Sequence, residues 1–208
     1  MSDTRYLLER TVFVEGKAVI ISNLSSCKKK YSIIYTDPPW QQGKGGAKAV
    51  RPNSSGKPLD YPTMTLAEIE ELHKQFLSIG TEEKHNVFMW CIDKYLCETD
   101  EFMKRLGYKR HARIIWDKLN GPSPAFTVRF RTEYLVWYYK PGKIVMPRKE
   151  CRGKYSTIIR EGSTVHSKKP IAAYEMLEDM FAAENKIELF ARNTRDGWDC
   201  FGNEVQEV

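Results

Sequence analysis

Residues 31–40 read Tyr-Ser-Ile-Ile-Tyr-Thr-Asp-Pro-Pro-Trp, and the change of character inside this stretch decides how the chain is built. YSIIY is a short apolar strand. Asp37, Pro38, Pro39 and Trp40 follow at once, and two consecutive prolines cannot continue a hydrogen-bond ladder. The strand therefore ends there, its end held in a stiff, extended loop. Upstream, residues 11–21 (TVFVEGKAVII) read as a hairpin turning near Glu15-Gly16. Downstream, residues 41–57 (QQGKGGAKAVRPNSSGK) are rich in Gly, Lys and Ser without a hydrophobic period, which predicts a mobile basic insertion loop over residues 41–60. Thr65 to Glu68 has capping-box spacing and opens a helix to about Ile79.

The alternation then continues. Residues 86–91 (NVFMWC) predict a second strand, 95–106 a helix closed by Gly107, and 112–116 a third strand. A strand at 133–138 (EYLVWY), a turn at Pro141-Gly142, a strand at 156–160, a helix from Pro170 through Met180 and a strand at 187–190 complete the pattern. Strands alternating with helices predict an α/β fold with a mainly parallel central sheet, whose ligand sites lie at the carboxyl ends of the strands. No internal repeat or linker divides the chain, so a single domain over residues 1–208 is expected, with a target-recognition region around 118–155.

Composition narrows the classes. The 208 residues are 41% hydrophobic and 29% charged, which suits a globular domain. No apolar run approaches the ~20 residues of a membrane span, and the N-terminus does not read as a secretory signal, so a cytoplasmic location and no membrane partner are expected. Five scattered cysteines without a CxxC pair predict reduced thiols and no metal site. A net charge of +6 suits a polyanionic partner.

The DPPW tetrapeptide carries the chemistry. Adenine's exocyclic nitrogen is a poor nucleophile because its lone pair is delocalised into the ring. A carboxylate and a fixed carbonyl can each accept one amine hydrogen, which aims the lone pair at an electrophilic methyl without metal or covalent intermediate. Asp37 supplies the first acceptor and the carbonyl of Pro38 the second. Pro39 restricts the residue before it, and Trp40 offers a flat face for an extruded base. The structural alternative is an Asp-Pro turn beside a core tryptophan. No other constellation competes: the four histidines are dispersed, GxSxG is absent, and Gly56-Lys57 is followed by Pro58, which excludes a Walker-type loop.

With these residues in view, the chain resembles the DPPW-type N6-adenine methyltransferases, the family of the messenger-RNA N6-adenosine methyltransferase catalytic subunit and its bacterial and phage relatives. DPPW, YPTMTLAEIEEL, IIWDK, TEYLVWYYKPG, HSKKPIAAYEMLE and KIELFARNTRDGWDCFGNE follow in that family's order from Tyr31 to Glu204. The catalytic motif precedes the cofactor elements, the permuted β-class arrangement. The resemblance implies a Rossmann-like class I methyltransferase fold with helices on both sheet faces and S-adenosyl-L-methionine as cofactor. It implies that Asp37 lies beside the cofactor and that Lys169 pairs with the methionine carboxylate. Arg192 and Asn193 would hold the ribose, and Asn203 and Glu204 would lie beside the adenosine. It places Tyr61 near the methyl group and Glu133 at the target base. Two departures stand out: Glu204 replaces an amide, and the 41–57 loop interrupts a segment nearly continuous in the messenger-RNA enzyme.

Basic residues on segments flanking the catalytic strand end, Lys44, Lys48, Arg51 and Arg131 among them, suit phosphate contacts that position a nucleic acid without reading it. Three readings are weighed: a DNA adenine methyltransferase, an RNA adenine methyltransferase, and a non-catalytic binding partner of an active relative. All four DPPW residues are retained, which disfavours the last. The absence of a zinc-finger or RRM signature and the bacterial or phage look favour DNA, with a homodimer supplying further binding surface.

Overall fold

The computed structural model describes residues 20–21, 27, 29–41, 62–119, 128, 130–163, 168–202 and 205. Its centre is an eight-stranded sheet ordered β1-β8-β7-β2-β3-β5-β4-β6. The strands are β1 (Ile20–Ile21), β2 (Tyr31–Thr36), β3 (Thr81–Cys91), β4 (Lys109–Asp117), β5 (Thr132–Tyr139), β6 (Ile158–Arg160), β7 (Lys186–Leu189) and β8 (Trp198–Phe201). β5 alone runs antiparallel to its neighbours, so the mainly parallel expectation holds. β5 also lies between β3 and β4, so part of the region expected to recognise the target is core sheet.

Helices α1 (Leu66–Ile79) and α2 (Leu96–Arg105) share one core cluster, and α3 (Ile171–Met180) packs in the other. All six residues of β2 are buried, as a central strand covered on both faces requires. A register shift between Tyr31 and Ile33 breaks the strand's alternation. Tyr31 and Ile34 thus join the α1/α2 cluster, while Ile33 and Tyr35 join that of α3.

The helix ends position the loops. The Thr65 hydroxyl accepts from the Glu68 amide while the Glu68 carboxylate accepts from the Thr65 amide, the capping box expected from spacing. Met64, just before it, donates its amide to the Pro39 carbonyl at 2.9 Å, so the helix start is tied to DPPW. Pro170 is the N-cap of α3 but has no capping side chain. Glu161, past the end of β6, does that work instead: its carboxylate accepts from the amides of Ile171 (2.8 Å) and Ala172 (3.1 Å).

Several expectations shift. β3 and β4 extend further than their apolar runs, and β8 was not anticipated. Gly107 adopts φ +87 at the close of α2, and Gly142 φ +74 in the Pro141-Gly142 turn. Of the expected hairpin only Ile20–Ile21 falls among the described residues, where it pairs parallel to β8. No helix of the described residues is long and apolar enough to cross a membrane.

Candidate active site

Sheet order reverses beside β2: the connection through α1 leads to β3 on one side, that through α3 to β7 on the other. In such sheets ligands bind outside the carboxyl ends of the strands, where order reverses. Asp37 to Trp40 leave β2 at this point, and Phe190 to Asn193 leave β7 beside them. Phe190 takes φ +62, a left-handed conformation that costs a non-glycine residue about 1–2 kcal/mol. The end of β8 presses against the same turn. A Cβ on Gly202 would lie 2.0 Å from the Ala191 carbonyl oxygen, so only glycine fits.

Strand alternation delivers the polar groups. Ile33 and Tyr35 on β2, Ile114 and Trp116 on β4, and Leu135 and Trp137 on β5 all face α3. The same two-residue step continued past that packed layer reaches Asp37, Lys118 and Glu133. Lys169, immediately before α3, joins them. Its ammonium lies 2.9 Å from Asp37 Oδ1 and 2.9 Å from Glu133 Oε2. Lys118 holds the other Glu133 oxygen. Side-chain exposures of 20%, 10%, 15% and 19% for Asp37, Lys169, Glu133 and Lys118 make this a largely desolvated chain of alternating charge.

Aromatic rings form its base. Lys169 Nζ stands 5.3 Å from the Trp90 ring centroid and Lys118 Nζ 5.1 Å from that of Trp116; the two indoles meet edge-on at 5.8 Å. Tyr35 packs against Trp90, Tyr174 and Trp198.

Burial raises the carboxyl of Asp37 above its usual range, Lys169 opposes that, and Glu133 adds to it. Glu133 is driven down despite burial, because two lysines hold it. Lys169 is kept firmly protonated: burial works against its charge, but the carboxylates of Asp37 and Glu133 prevail. Glu188 on β7, hydrogen-bonded by Tyr174 Oη at 2.9 Å, is pushed up by burial to about 7.

The Pro38 carbonyl accepts the Trp40 amide at 2.8 Å and keeps a second lone pair. Trp40 departs from expectation. It is 4% exposed, stacks on Tyr95 at 5.1 Å and donates its indole N–H to the Trp90 carbonyl at 3.0 Å. With its ring enclosed in the core, it anchors the loop and does not offer a stacking face. The core-tryptophan alternative describes it better.

The MT-A70 family model matches residues 31–204. The chain belongs to the MT-A70 family. Its similarity to the Type II methyltransferase M.MunI of Mycoplasma sp is 30% identity over 193 residues, covering 86% of this chain and 80% of that protein. To a putative N(6)-adenosine-methyltransferase MT-A70-like protein of Medicago truncatula it is 27% over 186 residues, 86% of this chain but 27% of that one. To an N(6)-adenosine-methyltransferase MT-A70-like protein of Drosophila melanogaster it is 24% over 185 residues, 86% against 28%. The chain thus spans roughly a quarter of the plant and insect relatives. MT-A70 membership makes this a methyltransferase-family chain with the Rossmann-like methyltransferase fold that the sheet displays.

Of the residues singled out in sequence, this MT-A70 domain brings Asp37, Pro38, Pro39, Glu133 and Lys169 to one edge. Arg192 lies near enough to act on the Asp37 charge, and Asn193 is exposed beside it. Arg131 sits on the rim, its guanidinium paired with Asp117 through two 2.7 Å hydrogen bonds. Lys44, Lys48, Arg51, Tyr61, Asn203 and Glu204 lie outside the described residues. Sequence reasoning missed Lys118, Glu188, Tyr174 and Trp90. Strand alternation counted outward from the core signals Lys118 and Glu188, whereas Tyr174 on α3 and the buried Trp90 read in sequence as ordinary core aromatics.

Proposed function

We propose that this chain transfers a methyl group from S-adenosylmethionine to the exocyclic N6 amine of adenine in DNA. The observation that carries the reading is Asp37 followed by the rigid Pro38 carbonyl, set at the sheet's switch point and backed by Lys169. Asp37 accepts one amine hydrogen and the free lone pair of the Pro38 carbonyl accepts the other, leaving the nitrogen lone pair directed at the incoming methyl. The N(6)-adenosine-methyltransferase names of the plant and insect relatives support adenine.

The residues fit the cofactor. An ammonium has three donors, and Lys169 uses two on Asp37 and Glu133, so one remains for a methionine carboxylate. Arg192 and Asn193, at the carboxyl end of β7, suit ribose hydroxyls. When bound, the cofactor supplies an electrophilic methyl on a sulfonium. Lys169 favours the ionised form of Asp37 against the effect of burial, and the Trp90 and Trp116 indoles exclude water beneath the charges.

DNA is favoured over RNA because M.MunI, matched over 80% of its own length, is a type II methyltransferase. Rim cations such as Arg131 and the basic residues of the 41–57 loop would contact phosphates, and a second copy of the chain would extend that surface. The test is methyl incorporation into matched DNA and RNA oligonucleotides at equal salt, read as kcat/KM, with N6-methyladenine identified in the product. A higher kcat/KM on DNA is expected. Preference for RNA would overturn the substrate, and methyl found elsewhere than on N6 would overturn the chemistry.

A further inference from the structure

The buried charge chain holds one member with no evident part in contacting cofactor or base. Lys118 follows the last residue of β4, and its ammonium meets Glu133 while standing over Trp116. Glu133 is thereby shared by two lysines, and Lys169 by two carboxylates. We propose that Lys118 is a positioning residue for the transfer site: by neutralising one oxygen of Glu133 it leaves Lys169 to keep Asp37 a carboxylate. This rests on the proposed role of Asp37 as acceptor of an amine hydrogen.

The argument is one of charge count in a desolvated place. With Lys118 present, two ammonium groups face two carboxylates. Without it, one ammonium serves two carboxylates a few ångströms apart, an arrangement in which one of them takes up a proton. Burial already favours the neutral form of Asp37 even with Lys169 beside it, and without Lys118 Glu133 competes with Asp37 for that one ammonium. The proton would therefore suppress the acceptor that the chemistry needs. The other groups facing the chain do not take the place of Lys118 on Glu133. Glu188 of β7, its carboxyl raised by burial to about 7, carries little charge below that pH, Tyr35 and Tyr174 are neutral with hydroxyls raised by burial, and Arg192 is a cation that acts on Asp37 from the β7 end.

The full chain is assayed for adenine methylation from pH 5 to 9 as wild type, Lys118→Met, Lys118→Gln, Lys118→Arg, Glu133→Gln and Glu133→Gln with Lys118→Met. Lys118→Met and Lys118→Gln should move the acid limb of kcat up by about one pH unit, and Lys118→Arg should restore it. In the Glu133→Gln background, Lys118→Met should move nothing further, which a merely structural role would not produce. An unmoved limb, or the same movement with and without Glu133, overturns the inference. Carboxyl ¹³C shifts of labelled Asp37 and Glu133 read the same titration without turnover. The pair's first proton should bind about one unit higher in Lys118→Met, and an unchanged midpoint again overturns the inference. Loss of all methylation in wild type with this midpoint shift intact would refute the proposed function and leave the charge chain standing.

Discussion

Asp37 and Asp179 sit at opposite ends of α3, each with a lysine at hydrogen-bonding distance, 2.9 Å for Lys169 and 2.7 Å for Lys154. Their carboxyls nevertheless move in opposite directions. Asp179, on the last turn of the helix, also receives Arg148 and the Tyr155 hydroxyl, and the bonds from Lys154 and Tyr155 hold it far below the usual carboxylate range. Asp37 has a comparable partner and is pushed up, because burial outweighs the pair and Glu133 adds repulsion. A cation beside a carboxylate therefore does not define its role. Near water the pair is a staple, here pinning residues 148–155 to α3; out of water it is a poised acceptor whose charge depends on every neighbour.

The strongest way to break this contrast is at Asp37. Asp37→Ala should lower kcat by about 10²–10³-fold or more, the scale of losing one preorganised polar contact to the reacting group, with the melting temperature little changed. Single-turnover methyl transfer and a thermal melt decide it, and normal turnover would remove Asp37 from the chemistry. Glu188 sharpens the contrast from the stability side. Its carboxyl is raised to about 7, so its protonated form favours the fold. That contribution is fully present below the unfolded value near 4.3 and is lost as pH rises through 7. Wild type should therefore lose roughly 3 kcal/mol relative to Glu188→Gln between pH 4.3 and 7.5, read by urea unfolding at several pH values. Parallel pH profiles would show that the burial of Glu188 does not set its proton affinity.

Much of this was legible in sequence, for stated reasons. YSIIY, NVFMWC and EYLVWY are apolar because their strands are covered by helices, so they announce themselves. The first half of β3 (TEEKH) does not, since Glu82, Glu83 and Lys84 are exposed and fall in the break of register between Thr81 and Asn86. Four-residue β8 follows a turn-rich stretch and carries no periodic signal of its own. DPPW points to Asp37 because four unusual residues adjoin, whereas Lys118 just past β4 and Glu188 on β7 are single polar residues without a motif, and Trp90 reads as one more core aromatic. Trp40 was assigned a stacking face because a motif names residues without saying which side of the ring is covered. Only the Tyr95 stack and the Trp90 carbonyl reveal that.

The smallest effect belongs to Asp179, and its sign is the opposite of Glu188's. A carboxyl held down in the folded state favours folding in its ionised form, so its contribution is present above the unfolded value of about 3.9 and is lost as pH falls through the folded one. Asp179→Asn should lower the melting temperature at pH 7, and by progressively less as pH falls below about 3.9. Three donors from residues 148–155 lose their shared anion, so local opening of that segment should accelerate more than global unfolding does. Hydrogen exchange at the amides of Cys151, Arg152 and Lys154, which close the 3₁₀ turn over Lys149–Cys151 and the bends after it, reads that opening. Methyl transfer should persist, because Asp179 is separated from Asp37 by the length of α3, about 15 Å at 1.5 Å per residue. If Asp179→Asn instead moved the acid limb of activity as Asp37's neighbours do, the two ends of the helix would be one electrostatic unit and the contrast between staple and acceptor would fail.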